Sequence, residues 1–286
     1  MTIHEASQQL RFQLFHIYDE READNITDMV MDNITGWKKI DRVVNKTVRL
    51  TGTQEKMMDD YTKALLDHKP LQYVLHESWF YGMCLYVDEN VLIPRPETEE
   101  LVDWLVKGIA NLTLVAGKSI LDIGTGSGCI PLAIKKTLPG AAVHSCDISE
   151  GALNVAKKNA ADQKLGIHFH LLDILSQTDR DQLPLFDIII SNPPYIPHKD
   201  KTAMAANVLQ YEPHLALFVE DSDPLIFYKA IADFAKNHLA ENGSIYLEIH
   251  EDMANPLVDL YKQKGFPNIE LKKDLQGRDR MVRVSI

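Results

Sequence analysis

Cysteine is scarce in this sequence, and its spacing indicates no cross-link or metal site. The 286 residues include three cysteines, Cys84, Cys129 and Cys146. An odd number without a C-x-x-C pair argues against a disulfide framework and against a zinc site. The His250-Glu251 pair lacks the second histidine of a zinc-protease helix, because Ala254 stands at that position. We therefore expect reduced thiols and no bound metal.

Long apolar runs and an excess of basic residues are also absent. Charged residues such as Glu5, Arg11 and Glu20 interrupt the first thirty positions, which leaves no stretch long enough for a signal peptide or a membrane span. The net charge of −11 disfavours nucleic-acid binding, which normally requires a basic surface to neutralise phosphates. We expect a cytoplasmic protein that binds neither membranes nor nucleic acid.

Residues 1–69 are predicted to form a helical segment. The whole chain of 286 residues is long enough for about two domains, and this segment is predicted to be the first of them. Leu10, Leu14 and Ile17 recur at helical spacing, and Thr53 is predicted to cap a later helix. Nothing in the segment has catalytic spacing, so we assign it to substrate recognition.

Residues 70–93 differ in character and are predicted to form a β-hairpin that links two domains. Aromatic and β-branched residues surround Gly82 in this stretch, a pattern typical of a hairpin. Residues 94–286 then form the predicted catalytic domain. Its first helix is expected to start at Thr98.

From Lys118 onward, predicted strands and helices alternate, which favours a mostly parallel sheet with helices on both faces. The predicted strands are 119–123, 142–147, 167–172, 187–191, 244–249, 269–273 and 281–285, the last two forming an antiparallel pair. The predicted helices are 129–138, 151–161 (capped by Ser149), 225–239 (capped by Asp223) and 254–264. The fold class is therefore α/β with a seven-stranded sheet.

The chain is organised around the loop Asn192-Pro193-Pro194-Tyr195, which follows the short apolar run 186–190. Two prolines prevent the strand from continuing. The loop presents a side-chain amide, a backbone carbonyl and a phenol ring at one sheet edge. We expect it to hold a planar polar group.

A glycine-rich loop, Gly124-Thr125-Gly126-Ser127-Gly128, connects the first predicted strand of the sheet to a helix. Glycines at this position let the backbone approach a ligand closely, and the helix start offers free amide donors. The sixth position is Cys129 rather than glycine, which counts against a dinucleotide site, and the chain has no G-K-[ST] phosphate loop.

Carboxylates stand near the ends of three predicted strands, Asp122 just before the glycine loop and Asp147 and Asp173 after it. Asp122 and Asp147 can each accept hydrogen bonds from ribose hydroxyls, and Asp173 can accept one from an exocyclic amine. Ile148 and Ile174 are assigned to the same pocket, with Ile174 covering an adenine face. These residues predict an adenosyl site, and their negative charge favours S-adenosylmethionine, with its sulfonium, over ATP.

Taken together, these motifs resemble a class I S-adenosylmethionine methyltransferase, and more closely the release-factor glutamine methyltransferases. The Asn-Pro-Pro-Tyr loop alone also resembles adenine-N6 DNA and guanine-N2 RNA methyltransferases. The stretch 91–99, Val-Leu-Ile-Pro-Arg-Pro-Glu-Thr-Glu, makes the narrower resemblance specific, together with 69–73 and 277–280. Some family members carry tryptophan where this chain has Ile174, so adenine stacking here would be aliphatic.

The resemblance implies methyl transfer from S-adenosylmethionine, yielding S-adenosylhomocysteine, to the glutamine of the Gly-Gly-Gln motif in class I peptide chain release factors. It implies that 124–128 and Asp147 hold the cofactor and that 192–195 hold the glutamine. The residues make chemical sense of this independently, because Asn192 Oδ1 and the Pro193 carbonyl can each accept one amide hydrogen. Asn192, Pro193 and Tyr195 are the predicted catalytic residues.

Arg95 and Glu97 are predicted to order the substrate side of the site, although their separate roles do not follow from sequence. Two other functions remain open at this stage. One is methylation of a nucleobase exocyclic amine, which would suit the same loop after base flipping. The other is a non-catalytic module that binds S-adenosylmethionine. The oligomeric state does not follow from the sequence, and a monomer is expected.

Overall fold

The computed structural model describes residues 1–110 and 117–286, which form two compact units. One unit comprises Met1–Glu77 and Ala205–Tyr211, and the other comprises Ser78–Met204 and Glu212–Ile286. The short segment 205–211 lies in the long connection after the Asn-Pro-Pro-Tyr loop, yet it belongs to the N-terminal unit. None of the helices in 1–110 and 117–286 is long and apolar enough to cross a bilayer.

The described residues contain helices and strands with the following bounds. The α-helices are α1 (Ile3–Leu14), α2 (Glu20–Thr35), α3 (Lys39–Val44), α4 (Gly52–Leu66), α5 (Leu71–Leu75), α6 (Pro96–Ala110), α7 (Cys129–Thr137), α8 (Glu150–Gln163), α9 (Gln177–Arg180), α10 (Ala206–Tyr211), α11 (Ile226–His238) and α12 (Ala254–Gln263). The strands are β1 (Ser78–Phe80), β2 (Met83–Leu85), β3 (Ser119–Ile123), β4 (Ala142–Asp147), β5 (His168–Leu171), β6 (Phe186–Ser191), β7 (Ile196–Pro197), β8 (Phe218–Val219), β9 (Leu239–Glu248), β10 (Asn268–Lys273) and β11 (Asp279–Ser285).

Helices α1–α5 and α10 make up the N-terminal unit. Leu10 and Leu14 are fully buried in its core, as their helical spacing predicts. The predicted cap of α4 at Thr53 is wrong, because Thr51 takes that position. Thr51 Oγ1 accepts a hydrogen bond from the Gln54 amide, and the Gln54 side chain accepts one from the Thr51 amide. This reciprocal pair satisfies two backbone donors that the helix start would otherwise leave free.

The predicted hairpin is confirmed, but it is shorter than the aromatic pattern indicates. Strands β1 and β2 pair across the two-residue turn Tyr81-Gly82, where both residues have positive φ values of 49° and 68°. Such a turn matches the twist of the strands it joins. Residues Leu71–Leu75 form helix α5 rather than a strand, and their side chains Val74 and Leu75 pack in the N-terminal core.

The second unit contains the predicted seven-stranded sheet, with strand order β10-β11-β9-β6-β3-β4-β5. Strands β9, β6, β3, β4 and β5 run parallel, and β10 and β11 form the predicted antiparallel pair. Helices α11 and α12 cover one face, and α6 and α7 cover the other. Strand β3 lies between β4 and β6, so the strand order reverses at β3. A ligand crevice is expected at this point, outside the carboxyl ends of the strands.

The predicted cap of α11 at Asp223 is wrong. The helix begins at Ile226 after Leu225, which makes no side-chain cap. Asp223 instead uses its carboxylate to accept a hydrogen bond from Lys229 Nζ at 2.7 Å. The Asp-Pro pattern therefore marks the turn before the helix rather than the helix start.

Candidate active site

A cleft of about 200 Å³ lies at the carboxyl ends of β3, β4, β5 and β6 in the second unit. Parallel strands deliver their carboxyl ends to the same edge, so residues distant in sequence meet there. The predicted site residues that line the cleft are Gly124, Gly126, Asp147, Ile148, Asp173, Ile174, Asn192, Pro193 and Pro194. Thr125, Ser127, Gly128, Tyr195, Arg95 and Glu97 do not line it.

The glycine loop turns sharply where β3 ends, and its glycines adopt left-handed backbone angles. Gly124 and Gly126 have φ values of 77° and 53°, a conformation that only glycine adopts readily. A Cβ atom at either position would meet no atom within 4 Å, so the backbone is open on the side where a side chain would stand. The loop therefore forms a cradle against which a ligand can lie directly on the main chain.

Asp147, the last residue of β4, is joined to the glycine loop by hydrogen bonds. Its Oδ2 accepts from the Gly126 amide at 2.9 Å, and its Oδ1 accepts from the Ser149 amide at 2.9 Å. Burial raises the pKa of the carboxyl, while these amide donors lower it in part. Each oxygen retains a second lone pair, so the carboxylate can still accept from a diol.

The remaining residues of the glycine loop, Thr125, Ser127 and Gly128, do not line the cleft. A Cβ at Gly128, whose φ is 81°, would lie 3.2 Å from Ala156 Cβ on helix α8, so this glycine permits close packing of α7 against α8. Thr125 and Ser127 are buried. Asp122 is fully buried and accepts a hydrogen bond from Ser145 Oγ at 2.9 Å. It does not line the cleft, so our assignment of Asp122 to ribose binding is wrong.

The apolar wall of the cleft includes the residues that follow β5. Ile174 and Leu172 are buried, whereas Leu175 is 40% exposed, and all three line the cleft. The Asp173 carboxylate accepts a hydrogen bond from the Leu175 amide at 2.8 Å and so fixes the turn. Ile148, 51% exposed, lines the cleft after β4. These aliphatic side chains provide a surface suited to a flat aromatic base.

The Asn-Pro-Pro-Tyr loop begins where β6 ends and is held by the neighbouring strand. Ser191 Oγ donates to the Ile123 carbonyl at 2.7 Å. Asn192 Nδ2 donates to Thr98 Oγ1 at 3.1 Å. Pro193 and Pro194 continue along the cleft wall. The loop is thereby held at Ser191, the residue that precedes it, and at the side chain of Asn192.

Tyr195 turns toward the protein interior, where it packs against the core under α11. Its hydroxyl donates to Glu248 Oε1 at 3.3 Å. Burial raises the pKa of Tyr195, and the neighbouring Glu248 carboxylate raises it further. The phenol is therefore held in its neutral form.

Glu248, the last residue of β9, is a site residue that the sequence reasoning missed. It is 2% exposed, and its Oε2 accepts from Thr98 Oγ1 at 2.7 Å. Burial raises its pKa to about 7, against the lowering effects of Thr98, Arg280 and Tyr195. The signal for it was a glutamate inside the apolar run 245–249, because a charge inside a buried strand requires partners. Thr98 itself lies inside α6, which begins two residues earlier, so its predicted role as helix start is wrong.

Arg95 and Glu97 lie on the same segment but have different surroundings. Arg95 NH2 donates to Glu212 Oε1 at 2.6 Å, and Glu212 Oε2 accepts from the Ile93 amide at 3.2 Å. The Glu212 side chain is 1% exposed. Glu97 lies half-buried, close enough for its charge to raise the pKa of Glu248.

Other residues that sequence reasoning missed complete the cleft wall. They are Asn90, Val91, Leu92, Pro213, Leu215, Ala216 and Phe227. They come from the connection before α6, from the segment after α10 and from α11. Val91 and Leu92 belong to the stretch 91–99 that carries the family resemblance, whereas the other two segments carry no binding motif. No group of three or more histidine, cysteine or acidic side chains among residues 1–110 and 117–286 is arranged to hold a metal ion.

Comparison with known proteins places these features among methyltransferases. Residues 103–216 match the family model described as methyltransferase small domain. The chain is 42% identical over 272 residues to a release factor glutamine methyltransferase from Flavobacterium psychrophilum, and the match covers 95% of each chain. It is 36% identical to a release factor glutamine methyltransferase from Bacteroides thetaiotaomicron, covering 96% of each.

The fold is shared with solved structures of lower identity. The crystal structure of the hMettl16 catalytic domain in complex with the MAT2A 3′UTR hairpin 6 superposes with a TM-score of 0.55 at 18% identity. The superposition covers 85% of this chain and 84% of that one. Such a likeness extends to the architecture of the sheet and its helices, and not to the substrate.

Proposed function

The chain belongs to the release factor glutamine methyltransferase family, and on that basis we propose that it methylates the side-chain amide nitrogen of a release-factor glutamine. Membership rests on identities of 42% and 36% over nearly the full length of two curated relatives. The observation that carries the proposal is the meeting of Asn192 and Pro193 with the glycine loop and Asp147 in one cleft. An amide-binding loop and an adenosyl cradle thus face the same space.

The proposed substrate is the glutamine of the Gly-Gly-Gln motif in class I peptide chain release factors, and the proposed site of action is the cytoplasm. Residues 1–69 contain no arrangement of residues suited to catalysis, so recognition of the release factor away from its glutamine is their proposed task. We propose a monomeric enzyme that acts on protein and not on nucleic acid. The net charge of −11 favours a protein substrate over nucleic acid, because an enzyme that binds a release factor needs no basic surface to neutralise phosphates.

The cleft has the chemistry to hold S-adenosylmethionine. Gly124 and Gly126 present open main chain, and the Asp147 carboxylate is suited to the ribose hydroxyls. Ile174 and Leu172 offer an apolar surface to the adenine. When bound, the cofactor supplies a methyl group on a sulfonium centre, whose positive charge suits an acidic cleft without basic side chains in its lining.

The protein's main contribution to the reaction is orientation. An amide nitrogen is a poor nucleophile because its lone pair is delocalised into the carbonyl. Asn192 accepts one amide hydrogen through Oδ1, and the Pro193 carbonyl accepts the other, which aims the nitrogen at the methyl group. Alignment of this kind contributes on the order of 7 to 11 kcal/mol in favourable cases.

The bond changes are those of a direct displacement. With S-adenosylmethionine held against Gly124, Gly126 and Asp147, transfer would form a bond between the amide nitrogen and the methyl carbon and break the carbon–sulfur bond, and the sulfur would keep the electron pair. The nitrogen then releases one proton to water and regains its conjugation. Asn192 has no group that can take this proton, so its task is to stabilise the positive character that grows on nitrogen.

The test is a transfer assay with S-adenosylmethionine labelled on its methyl group. The substrates are a purified class I release factor and a variant in which the Gly-Gly-Gln glutamine is replaced by alanine. We expect label in the first protein and none in the second. Equal labelling of both proteins would refute the proposal, and label confined to added DNA or RNA would establish the nucleobase reaction instead. Cofactor binding without any transfer would identify a non-catalytic binding module.

A further inference from the structure

Asn192 is connected to a buried carboxylate through one hydroxyl group. Asn192 Nδ2 donates to Thr98 Oγ1 at 3.1 Å, and Thr98 Oγ1 donates to Glu248 Oε2 at 2.7 Å. Thr98 and Glu248 are each 2% exposed, so water does not compete for these bonds. The three side chains come from the loop after β6, from the first turn of α6 and from the end of β9.

The topology of the sheet brings this relay together. Strands β6 and β9 are parallel neighbours in which Ser191 pairs with Leu247, so the next residues, Asn192 and Glu248, lie side by side at the carboxyl ends of the two strands. Helix α6 packs against β9, and its residue Thr98 lies between the side chains of Asn192 and Glu248. Residues separated by about 150 positions in sequence thus form one continuous chain of hydrogen bonds.

The chemistry of the relay dictates which way the asparagine amide points. An ionised carboxylate can only accept hydrogen bonds, so Thr98 must direct its single hydroxyl proton toward Glu248. The threonine oxygen then has only lone pairs left for Asn192, which must turn its NH2 group toward Thr98. The opposite side of the amide, Oδ1, is thereby directed away from the relay.

We propose that Thr98 and Glu248 are positioning residues that set the orientation of the Asn192 amide and so present Oδ1 to the substrate. This inference rests on the proposed function, in which Oδ1 accepts a hydrogen from the glutamine amide. A flipped Asn192 would present NH2 to a substrate NH2, two donors facing each other. Without the relay both orientations are available, and only one of them is productive.

Protonation of Glu248 reverses the direction of the relay. A carboxylic acid can donate to Thr98, which frees the threonine hydroxyl to donate to Asn192 Oδ1 and stabilises the flipped amide. Burial raises the pKa of Glu248 to about 7, so the reversal occurs near neutral pH. The other groups that face Glu248 are Tyr195 and Arg280, which lower this pKa, and Glu97, which raises it. Tyr228 donates to the Glu248 main-chain carbonyl and anchors the residue.

The first experiment compares Thr98→Val with Thr98→Ser. Valine keeps the shape of threonine but removes the hydroxyl, whereas serine keeps the hydroxyl. We expect Thr98→Val to lower kcat by about 100-fold, the loss typical of a misdirected catalytic group, with little change in KM or in cofactor affinity. Thr98→Ser should recover most of the activity. Thr137→Val is the control, because the Thr137 hydroxyl donates to the Ala133 carbonyl of its own helix α7 at 2.8 Å and has no bond to Asn192, Thr98 or Glu248.

The second experiment follows kcat against pH for the wild type and for Glu248→Gln. The wild type should gain activity as Glu248 ionises, and this rise should be missing in Glu248→Gln, which cannot ionise. A merely structural role would change stability without removing the rise, so thermal unfolding is measured in parallel. This second variant also keeps the test decisive if Thr98→Val does not fold.

The outcomes separate this inference from the proposed function. If the wild type does not label the glutamine, the proposed function fails. If the wild type is active but Thr98→Val retains its kcat, or Thr98→Ser loses as much activity as Thr98→Val, the positioning role is wrong. Persistence of the pH-dependent rise in Glu248→Gln would also overturn it.

Discussion

The amide of Gly126 donates a hydrogen bond to Asp147 Oδ2 at 2.9 Å. This bond joins the loop after β3 to the end of the adjacent strand β4, so the two parts of the proposed adenosyl site are connected before any ligand arrives. A site that is already ordered loses less conformational entropy on binding. The same carboxylate thus holds the loop and is also the proposed acceptor for the ribose hydroxyls.

Replacement of Asp147 should therefore weaken cofactor binding more than it weakens the fold. In Asp147→Ala the Gly126 and Ser149 amides lose their acceptor, and the ribose hydroxyls lose the acceptor that we propose for them. Hydrogen bonds to a charged group contribute about 1.5 to 3 kcal/mol, so we expect the Kd for S-adenosylmethionine to rise by about 10- to 100-fold. Isothermal titration measures this. Asp162→Asn, an exposed change on α8, should leave the Kd unchanged, and an equal loss in both variants would contradict the assignment.

Substitutions at two glycines of the loop should have different effects, one chiefly on the stability of the fold and the other chiefly on cofactor affinity. Gly128→Ala places a Cβ 3.2 Å from Ala156 Cβ in a left-handed backbone conformation, and we expect it to destabilise the fold by about 2 kcal/mol or more. Gly126→Ala meets no atom within 4 Å, but Gly126 lines the cleft. It should therefore reduce cofactor affinity with a smaller effect on unfolding. Denaturant unfolding and cofactor titration of both variants check this, and the same pattern in both would refute the distinction.

Asn192→Ala should abolish turnover while leaving cofactor affinity almost unchanged. The substitution removes Oδ1, the proposed acceptor for the substrate amide, but leaves Gly124, Gly126 and Asp147 in place. Single-turnover transfer and cofactor titration measure the two effects separately. If Asn192→Ala instead loses cofactor binding, Asn192 belongs chiefly to the adenosyl pocket.

Much of this site follows from local sequence patterns. The Gly-x-Gly-x-Gly loop, Asp147 and Asn192 each stand at the carboxyl end of a predicted strand, and a parallel sheet brings the ends of its strands to one edge. Their meeting in one cleft is therefore predictable from strand order alone. The seven strands of the main sheet followed from the alternation of strand and helix patterns, whereas the short strands β7 and β8, in a stretch predicted as a loop, did not.

The parts that could not be predicted depend on partners distant in sequence. Thr98 has the local pattern of a helix start, but its hydroxyl bonds to Glu248, 150 positions away. Glu212 follows α10 in an unremarkable stretch, and only the fold brings it to Arg95. Local propensity carries no information about such pairs. The inclusion of segment 205–211 in the N-terminal unit is unpredictable for the same reason.

The Arg95–Glu212 pair should stabilise the segment that forms one wall of the cleft. Glu212 is buried, and the following residues Pro213 and Leu215 line the cleft. Arg95→Met would leave a buried carboxylate without its cation, which costs about 3 to 5 kcal/mol for fully buried pairs. Because the Arg95 side chain is 35% exposed, solvent reduces the loss, and we expect about 2 kcal/mol.

A double-mutant cycle tests this pair. Arg95→Met combined with Glu212→Gln should be less destabilising than the sum of the two single changes. Each single change leaves one charged group without its partner, whereas the double variant contains neither charge. The exposed pair Lys158–Asp162 is the control, and its removal should change the free energy of unfolding by about 0.5 kcal/mol or less. Additive effects at Arg95 and Glu212 would show that their bond does not stabilise the wall.

Asp122 should make the stability of the protein depend on pH. It is fully buried, and burial raises its pKa to about 7, against the lowering effects of Ser145, which donates a hydrogen bond to it, and of Thr125. The unfolded chain loses this proton near the ordinary aspartate pKa of about 4, whereas the folded protein keeps it until about pH 7. Ionisation therefore favours the unfolded state, and the stability contributed by Asp122 falls as pH rises through this interval.

Asp122→Asn cannot ionise and should escape this decline. Thermal unfolding of the wild type and the variant at several pH values gives the difference between them. We expect the variant to gain stability relative to the wild type as pH rises from about 4 to about 7, with no further gain above that range. Glu248 contributes a decline of the same sign, but it is present in both proteins and cancels in the difference. A difference that stays constant with pH would mean that Asp122 keeps its ordinary pKa in the folded protein, despite its complete burial.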